Sequence, residues 1–536
     1  MNRFMTRLPR GVLAASSLCL TMSACTLFHP LGPDYRAPEA PAAAQRALPG
    51  VPAAASGADV APASGAQAAT PPALGRTAAG VPQADPATLY TPATVPDDWW
   101  KLYADPDLNA LVEEALRANL DLRQAASTLA AAQTALDQAR AAWLPSTSLS
   151  ASYARERNNV YGASGLHRFN AAGINLGVSY EVDLFGRIRR AVEEASASYD
   201  AQTFAFAAAQ IKLVVNTVDG YLLACQGNAA LANARDQLGV ADRQYQLVER
   251  LHAHGAAADV DVLQAKAQQQ AQAATIPNLE ANRQAALYSL AVLLGRGPSD
   301  VPPAAERCTA PPRIAHTLPV GDGLSLLRRR PDVAEAERQL AAQTAGIGVA
   351  MAALYPQVSL GIGVGGKGAT VAGAFQSSGR TWQLGPLLQW NFPNVEVALA
   401  QARGQQANAR AALSHYDSTV LVAVKETDTA LDAYAHALEY DAALADTEQT
   451  DVALLAETER LYKHGAVAYL NLLDAQRSLV SVRAQRVSAQ AGVSRAQVAL
   501  FQALGGGWSD SAARASEADR VARERFDAQM KGTAAR

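Results

Sequence analysis

The chain has 536 residues and a formal net charge of -3, with 49% hydrophobic and 18% charged residues. A nucleic-acid-binding protein would normally show a basic face, so this balance argues against one. Beyond the N-terminus no stretch reaches the roughly 18 apolar residues that a membrane helix needs, so any membrane crossing must be made by strands.

Residues 1–24 are predicted to be a signal peptide. Arginines precede an apolar run over residues 11–20, and cleavage before Cys25 would leave that cysteine as the first residue. The pattern resembles a bacterial lipoprotein signal, in which this cysteine is acylated. In such signals Thr26, which is not an aspartate, favours the outer membrane. An ordinary signal peptide with an incidental Cys25 is the alternative.

Residues 25–96 are predicted to be a lipidated spacer. Alanine, proline and glycine dominate residues 36–94, and such a composition cannot bury a core. The folded part is therefore expected to begin at Asp97.

The first repeat is predicted to cover residues 97–300. It should contain a helix starting near Leu108, a helix over 121–142, two strands, a long helix over 187–251 and a helix over 259–294. The strands, at 148–153 and 174–184, alternate apolar and polar residues and are joined by a polar loop over 156–172. Pro277 is expected to bend or split the last helix.

A linker over residues 301–331 leads to a second repeat over 332–508. This repeat is predicted to hold a helix over 332–353, strands over 357–366 and 381–392, and a long helix over 396–461. A final helical run ends at Leu504. The tail, residues 509–536, is rich in charge and alanine and is predicted to be flexible.

The clearest sign of duplication lies in two short stretches, residues 249–265 and 459–475, which share the same residue at nine of 17 positions. Each follows a proline-free helical run and carries a glycine, Gly255 or Gly465. Glycine just past a helix whose last turn is basic is a stop signal, so both are predicted to be helix-turn-helix tips. The chain is therefore an internal duplication.

The strand pattern has a consequence for assembly. The alternation over residues 174–184 is long enough to cross a bilayer when tilted. Four strands cannot close a barrel, and lipid does not tolerate an open sheet edge. The chain must therefore oligomerise to cross a membrane.

Two remaining cysteines, Cys225 and Cys308, are possible partners in an oxidising compartment. Sequence does not say whether they meet, so no disulfide is predicted. The stretch 361–368 contains G-x-G-x-x-G, but Gly368 stands where a phosphate-binding loop needs Ser or Thr. Glycines on the lumen face of a strand are the preferred interpretation.

His252 and His254 could suggest a metal, but a lone pair of histidines at a helix end is more typical of a solvated tip. No nucleophile, base and orienting group recur in a recognisable pattern. The sequence therefore predicts no enzyme, no metal and no cofactor.

Several motifs resemble the outer membrane factor family, of the TolC and OprM kind, and its lipoprotein branch of multidrug efflux channels of the NodT type. They follow the lipoprotein-type signal and stand in the family's order: GPDY at 32–35, YEVDLFGR at 180–187, LRRRPD at 327–332, WNFPN at 390–394 and YLNLLDAQRS at 469–478. The resemblance implies a mainly α protomer with a small transmembrane β-barrel portion. A trimer would join twelve strands into one barrel above a tunnel of twelve helical columns.

The resemblance also implies partners and a function. The homotrimer would be the outer-membrane exit duct of a tripartite system, surrounded by outer-membrane lipid. It would be joined to a periplasmic adaptor and to an inner-membrane pump of the RND type. Two alternatives remain open: a type I secretion exit channel and a periplasmic coiled-coil adaptor. The second would carry no strands of barrel length.

Carried over by position, the resemblance implies three sets of site residues. Leu470, Asp474 and Arg477 would form the periplasmic gate, although Asp474 could also be an ordinary exposed acid. Tyr462 would bond to Asp261 and lock the tip. The adaptor would contact the tip residues Gly255, Ala256, Gly465 and Ala466. Asn471 and Val467 replace an acid and an arginine of some relatives, which removes part of the polar network.

Overall fold

The computed structural model describes residues 30–38, 89–159, 166–314, 316–321, 329–390, 392, 395–508 and 520–521. The predicted signal peptide, Cys25, most of the spacer and most of the tail lie outside these residues. The chain divides into two compact units. One contains Thr128–Thr203 and Glu335–Asp417 with the segment before Ala40, and the other contains Ala40–Ser127, Phe204–Ala334 and Ser418–Arg536.

In the described residues of the first repeat the α-helices are α1 (Pro106–Ala118), α2 (Leu120–Ala141), α3 (Arg187–Ala253) and α4 (Asp259–Leu293). The Asp105 side chain caps α1 by accepting the backbone N–H groups of Asp107 and Leu108 at 2.9 and 3.1 Å. The apolar face of α1 is buried, and Leu108 is completely so.

The connection between the repeats contains α5 (Pro303–Arg307), and the second repeat then copies the first. It holds α6 (Pro331–Ala352), α7 (Val371–Ala374), α8 (Val395–Lys463) and α9 (Tyr469–Ala503). The helices α2 and α6 both have 22 residues, and α4 and α9 both have 35. The long helices have 67 and 69 residues, so the predicted duplication is confirmed in helix length.

The strands form two sheets. A short parallel pair joins β1 (Tyr90–Thr91) to β4 (Leu318–Pro319). The larger sheet is antiparallel in the order β2 (Ser146–Asn159), β3 (Leu166–Val182), β5 (Gln357–Gly368) and β6 (Arg380–Gln389). The pairing of β3 with β5 joins the two repeats, and β2 and β6 are the sheet's two edges.

The hairpin of the first repeat is longer than its alternation predicts. The prediction of a loop over residues 156–172 is wrong, because β2 continues to Asn159 and β3 begins at Leu166. The backbone ladder needs no apolar side chains, so a strand can continue after apolar alternation stops. Sequence alternation marked only the part of the hairpin with an apolar face.

A single helix, α4, runs through Pro277, so of the two predicted outcomes, a bend or a split, the split is wrong. Proline removes one intrahelical hydrogen bond and leaves one carbonyl without its partner. Pro277 lies on the exposed side of α4, where water can satisfy that carbonyl. No helix in the described part of the chain combines the length and apolarity needed to span a membrane.

Parts of the predicted spacer are packed against the fold, which corrects the start at Asp97. Tyr90 is buried, and its hydroxyl donates to the Leu431 carbonyl at 2.7 Å. Within the GPDY motif, Asp34 forms an ion pair at 2.6 Å with Arg190, whose side chain is only 4% exposed. The Tyr35 hydroxyl donates to Glu337 at 3.0 Å. The motif therefore fastens the N-terminal segment to its unit.

The inter-repeat connection is also fixed in place. A disulfide joins Cys225 of α3 to Cys308, just after α5. The Asn228 side chain donates to the carbonyls of Ala305 and Cys308 at 2.9 and 2.7 Å. The disulfide and the Asn228 hydrogen bonds, which lie one helical turn apart on α3, thus hold this connection against α3.

Candidate functional site

The two predicted tips have the same hydrogen bonding. The Gly255 N–H donates to the His252 carbonyl at 2.8 Å, and the Ala256 N–H donates to the Leu251 carbonyl at 2.8 Å. In the second tip, Gly465 and Ala466 donate to Tyr462 and Leu461, both at 2.9 Å. This pair of bonds is the Schellman motif, which ends a helix in a left-handed residue.

Glycine is required at both tips by backbone conformation. Gly255 has φ +75° and Gly465 has φ +70°, while a Cβ at either position would meet nothing within 4 Å. The four residues predicted to contact an adaptor, Gly255, Ala256, Gly465 and Ala466, are all exposed. Their side chains are small, so the tips present mainly backbone.

An apolar cluster lies behind the tips. Its buried members are Val248, Ala265, Tyr469, Leu472 and Leu473, and Tyr462 packs against them. The Tyr462 and Tyr469 rings are 5.9 Å apart. Burial, followed by the charges of Tyr462 and Asp261, raises the pKa of Tyr469 to about 12. This cluster joins the last turns of α3 and α8 to the first turns of α4 and α9.

The predicted lock residues lie near each other. Burial and then the Asp261 carboxylate raise the pKa of the Tyr462 hydroxyl. Asp261 accepts the Ala258 backbone N–H at 3.1 Å and so stabilises the start of α4. Among the described residues no hydrogen bond joins Tyr462 to Asp261, so their role as a lock stays a prediction.

Removing the Tyr462 hydroxyl tests the lock. In the implied lock the Tyr462 hydroxyl would bond to Asp261 once the tips of the trimer assemble. We expect Tyr462→Phe to abolish that bond, loosen the tip and raise antibiotic entry several-fold, since one hydrogen bond contributes on the order of 1 kcal/mol. Antibiotic susceptibility and uptake of a fluorescent dye by cells expressing each variant measure this entry. The control is Tyr245→Phe. Tyr245 lies on α3, and its hydroxyl bonds to Glu249 one turn further along that helix. Equal entry for the two variants and the wild type would remove Tyr462 from the lock.

The three predicted gate residues share one exposed face of α9. Leu470, Asp474 and Arg477 are exposed, whereas Leu472, Leu473 and other residues of the opposite face are buried. Arg477 lies 3.9 Å from the Asp474 carboxylate and donates to the Gln268 side chain of α4 at 3.0 Å. The arginine thereby connects α9 with α4. Whether these residues line a gate stays a prediction.

The four-stranded sheet has two chemically different faces. One cross-strand row on the first face is Leu149, Leu176, Val364 and Trp382. All four side chains are at least half exposed, and Trp382 is 79% exposed. A row of exposed apolar side chains across every strand is typical of a surface that meets lipid.

The opposite face of the sheet is polar and rich in glycine. A cavity of about 300 Å³ on this side is lined by Ser150, Asn175, Lys367, Thr381, Gln383 and neighbouring residues. Gly363 also lines this cavity. A Cβ at this position would come within 3.1 Å of the Gln383 side chain and within 3.2 Å of Asn175, which leaves little room for a side chain. The glycine-rich stretch 361–368 is thus part of strand β5, as predicted.

The two histidines of the first tip, His252 and His254, both contact protein groups. His252 lies 2.7 Å from the Asp259 carboxylate, and His254 bonds to the Arg250 carbonyl at 2.7 Å. The described part of the chain contains no cluster of three or more potential metal ligands.

The sequence profile described as "Outer membrane efflux protein" matches residues 111–296 and 324–506. The chain belongs to the outer membrane efflux protein family. It is an outer-membrane channel of an efflux system, and its family is one of channels and transporters.

Two relatives cover most of this efflux protein. The pyoverdine export outer membrane protein OpmQ of Pseudomonas putida is 32% identical over 450 residues, which is 80% of this chain and 94% of OpmQ. The outer membrane protein OprJ of Pseudomonas aeruginosa is 31% identical over 77% of this chain and 87% of OprJ.

Solved structures of outer-membrane channels match the fold. The outer-membrane channel OprN superposes with a TM-score of 0.77 at 31% identity, covering 89% of this chain and 99% of OprN. The MtrE channel of Neisseria gonorrhoeae has a TM-score of 0.70 at 23% identity and covers 90% of this chain and 99% of MtrE, which supports the fold alone. The predicted fold class, a duplicated, mainly helical protomer with four long strands, is confirmed.

Sequence reasoning missed two contacts near these surfaces. Tyr469 lies in the YLNLLDAQRS motif, but its burial depends on α3 and α8. The bond from Arg477 to Gln268 joins residues 209 positions apart. That separation is close to the offset between the repeats, which is the only signal that could have suggested the pairing.

Proposed function

We propose that this protein is the exit duct of a tripartite efflux system and acts as a homotrimer without catalysis. The observation that carries the proposal is the four-stranded sheet, which is apolar on one face and polar on the other. No other described strand pairs with its two edges. In lipid the edges of β2 and β6 must be paired, and sister chains are the natural partners. Three sheets would make twelve strands, enough for a closed barrel with a polar lumen.

The helices would continue the duct into the periplasm. Each protomer would contribute four helical columns, which end at two tips of identical backbone geometry. Gly255, Ala256, Gly465 and Ala466 would contact the periplasmic adaptor. Their small side chains allow a partner to approach the backbone closely. The adaptor would connect the duct to an inner-membrane pump of the RND type.

The N-terminus would anchor each protomer in the outer membrane through lipid on Cys25. The packed segment over residues 30–38 supports this proposal, because it would hold the acylated end at a defined place on its unit. Metabolic labelling with a palmitate analogue tests it: label should appear on the wild type and disappear in Cys25→Ser.

The cargo would be small molecules. Related outer-membrane proteins are named for pyoverdine export, antibiotic efflux and toluene efflux. In such a system the pump selects the cargo, so the duct needs only a polar passage of sufficient width.

The exposed acid of α9 would act at the gate. Three Asp474 side chains near a common axis would repel one another and attract cations, while Arg477 partly neutralises them. We expect Asp474→Asn to lower the cation-to-anion permeability ratio on the order of 3- to 10-fold. The measurement is the reversal potential in a planar bilayer, with exposed Asp446→Asn of α8 as the control. An unchanged ratio would exclude Asp474 from the conduction path.

The proposal as a whole is tested by reconstitution and deletion. The purified full-length chain should migrate as a trimer after cross-linking and form ion-conducting pores in planar bilayers. Deletion of its gene should increase the sensitivity of the cells to small toxic compounds. A monomer that forms no pores would overturn the proposed function.

A further inference from the structure

The long hairpin of β2 and β3 carries a group of arginines beyond its apolar part. Arg155, Arg157 and Arg168 are all exposed. Cross-strand pairing places Arg157 directly opposite Arg168, and Arg155 opposite Asn170. We call these three side chains the arginine cluster.

The arginine cluster lies on the same face as the apolar rows. Successive residues of a strand point to opposite faces, so Leu149, Ala151 and Tyr153 share a face with Arg155 and Arg157. On β3 the same alternation places Leu176 and Arg168 on one face. The side chains of Glu156 and Glu181 point to the opposite face, so the described hairpin places three positive charges and no negative charge on the apolar side.

The position of the cluster matches the membrane boundary. The apolar face of β3 runs from Val182 to Ala172. At about 3.4 Å per residue this is about 34 Å along the strand, and at a tilt of about 40° it is about 26 Å across the membrane. An apolar band of a transmembrane barrel is about 25 Å tall, so the arginines would lie just beyond the hydrocarbon. They lie toward the ends of the two strands at residues 159 and 166, away from the strand ends that lead into helices.

Two arginines directly opposite each other destabilise a strand pair unless an anion lies between them. Guanidinium groups bind phosphate through two parallel hydrogen bonds, which gives both strength and geometry. A ligand for this surface therefore needs phosphate groups at headgroup height and acyl chains for the apolar rows below.

We propose that the arginine cluster binds the phosphate groups of the phosphorylated glycolipid, lipopolysaccharide, in the outer leaflet, with its acyl chains against the neighbouring apolar face. The inference rests on the proposed function, because the sheet must span the outer membrane. It assigns a lipid-binding surface to one end of the hairpin, and it fixes the height of the barrel in the membrane.

The test uses purified full-length protein in neutral detergent. Its melting temperature and lipid affinity are measured with rough lipopolysaccharide bearing both lipid A phosphates, with the same lipid after removal of the phosphates, and with phosphatidylglycerol. We expect only the phosphorylated glycolipid to raise the melting temperature strongly. Each arginine near an anionic surface contributes roughly five-fold in affinity, so R155Q/R157Q/R168Q should weaken binding on the order of 100-fold.

Matched variants separate charge from folding. K212Q/R243Q/K266Q removes three exposed positive charges from the helices and should bind the lipid like the wild type. Replacing the three arginines by lysine keeps the charge but not the paired hydrogen bonds, so it should restore only part of the affinity. The single variant Arg168→Gln should lose roughly five-fold if the triple variant does not fold.

Several outcomes overturn the inference. These are equal stabilisation by the phosphorylated and dephosphorylated lipids, equal stabilisation by phosphatidylglycerol, and unchanged affinity of the arginine variants. Single-channel recording separates this inference from the proposed function. If the wild type forms no channel, both the proposed function and the lipid-binding inference are contradicted. If the wild type conducts but shows no preference for the phosphorylated lipid, only the lipid-binding inference is contradicted.

Discussion

Replacing both Cys225 and Cys308 by alanine is expected to lower the free energy of unfolding by about 4 kcal/mol, because the disulfide closes a long loop in the unfolded chain. The two cysteines are separated by 83 positions, a span that contains the tip at Gly255 and the whole of α4. The loss should appear as a lower melting temperature or denaturant midpoint of the oxidised protein, followed by circular dichroism.

Reduced wild type is the control for this variant. Since Cys225 is fully buried, its reduction requires denaturation with a reductant, followed by refolding. The reduced protein should then unfold like the double variant. Two titratable thiols on these cysteines in denatured, unreduced wild type, or an unchanged melting temperature of the variant, would contradict the prediction.

Replacing Arg330 by methionine is expected to destabilise the protein by about 3 kcal/mol, since it leaves two carboxylates and one carbonyl without a charged partner. The side chain of Arg330 is only 9% exposed. Its guanidinium donates to Asp332 at 3.0 and 2.7 Å, to Glu426 at 2.7 Å and to the Ala503 carbonyl at 3.2 Å. It thus connects the start of α6 with α8 and with the end of α9.

Arg235→Met provides the matched control, because Arg235 forms an ion pair with Glu280 at 2.7 Å but is 58% exposed. Water and salt weaken such an exposed pair, so its loss should change the melting temperature little. The two variants each remove one arginine from an ion pair, so the difference between their melting temperatures measures how much burial adds to the contribution of the pair. Equal melting temperatures for both variants would show that the Arg330 network does not hold these helices together.

Much of the architecture could be predicted because it depends on local rules. Glycine after a basic last turn predicted both tips, and strict alternation predicted the apolar-faced part of β2 and β3. The repeat then predicted β5 and β6. Duplication then made each assignment testable against its copy, as the matching lengths of α4 and α9 illustrate. The resemblance in five motifs led to the same family as the sequence profile.

The errors occurred where local pattern and backbone pairing diverge. The strand segment around Arg157 has no apolar alternation, yet its pairing with β3 continues to Asn159. Pro277 lies inside an unbroken helix because it faces water. Of the site residues, sequence placed Leu470, Asp474 and Arg477 on one face, but it could not show that Arg477 bonds to Gln268.

The sequence by itself determined the order of helices and strands, the two glycine tips and the two-faced strands, because each follows from neighbours within a few residues. Only the tertiary structure decided that Cys225 bonds to Cys308, that Arg190 forms an ion pair with Asp34 and that Tyr469 is buried beside Tyr462. These contacts join residues distant in the chain, or depend on packing by several helices at once. Local propensity carries no information about which distant side chains will share a site.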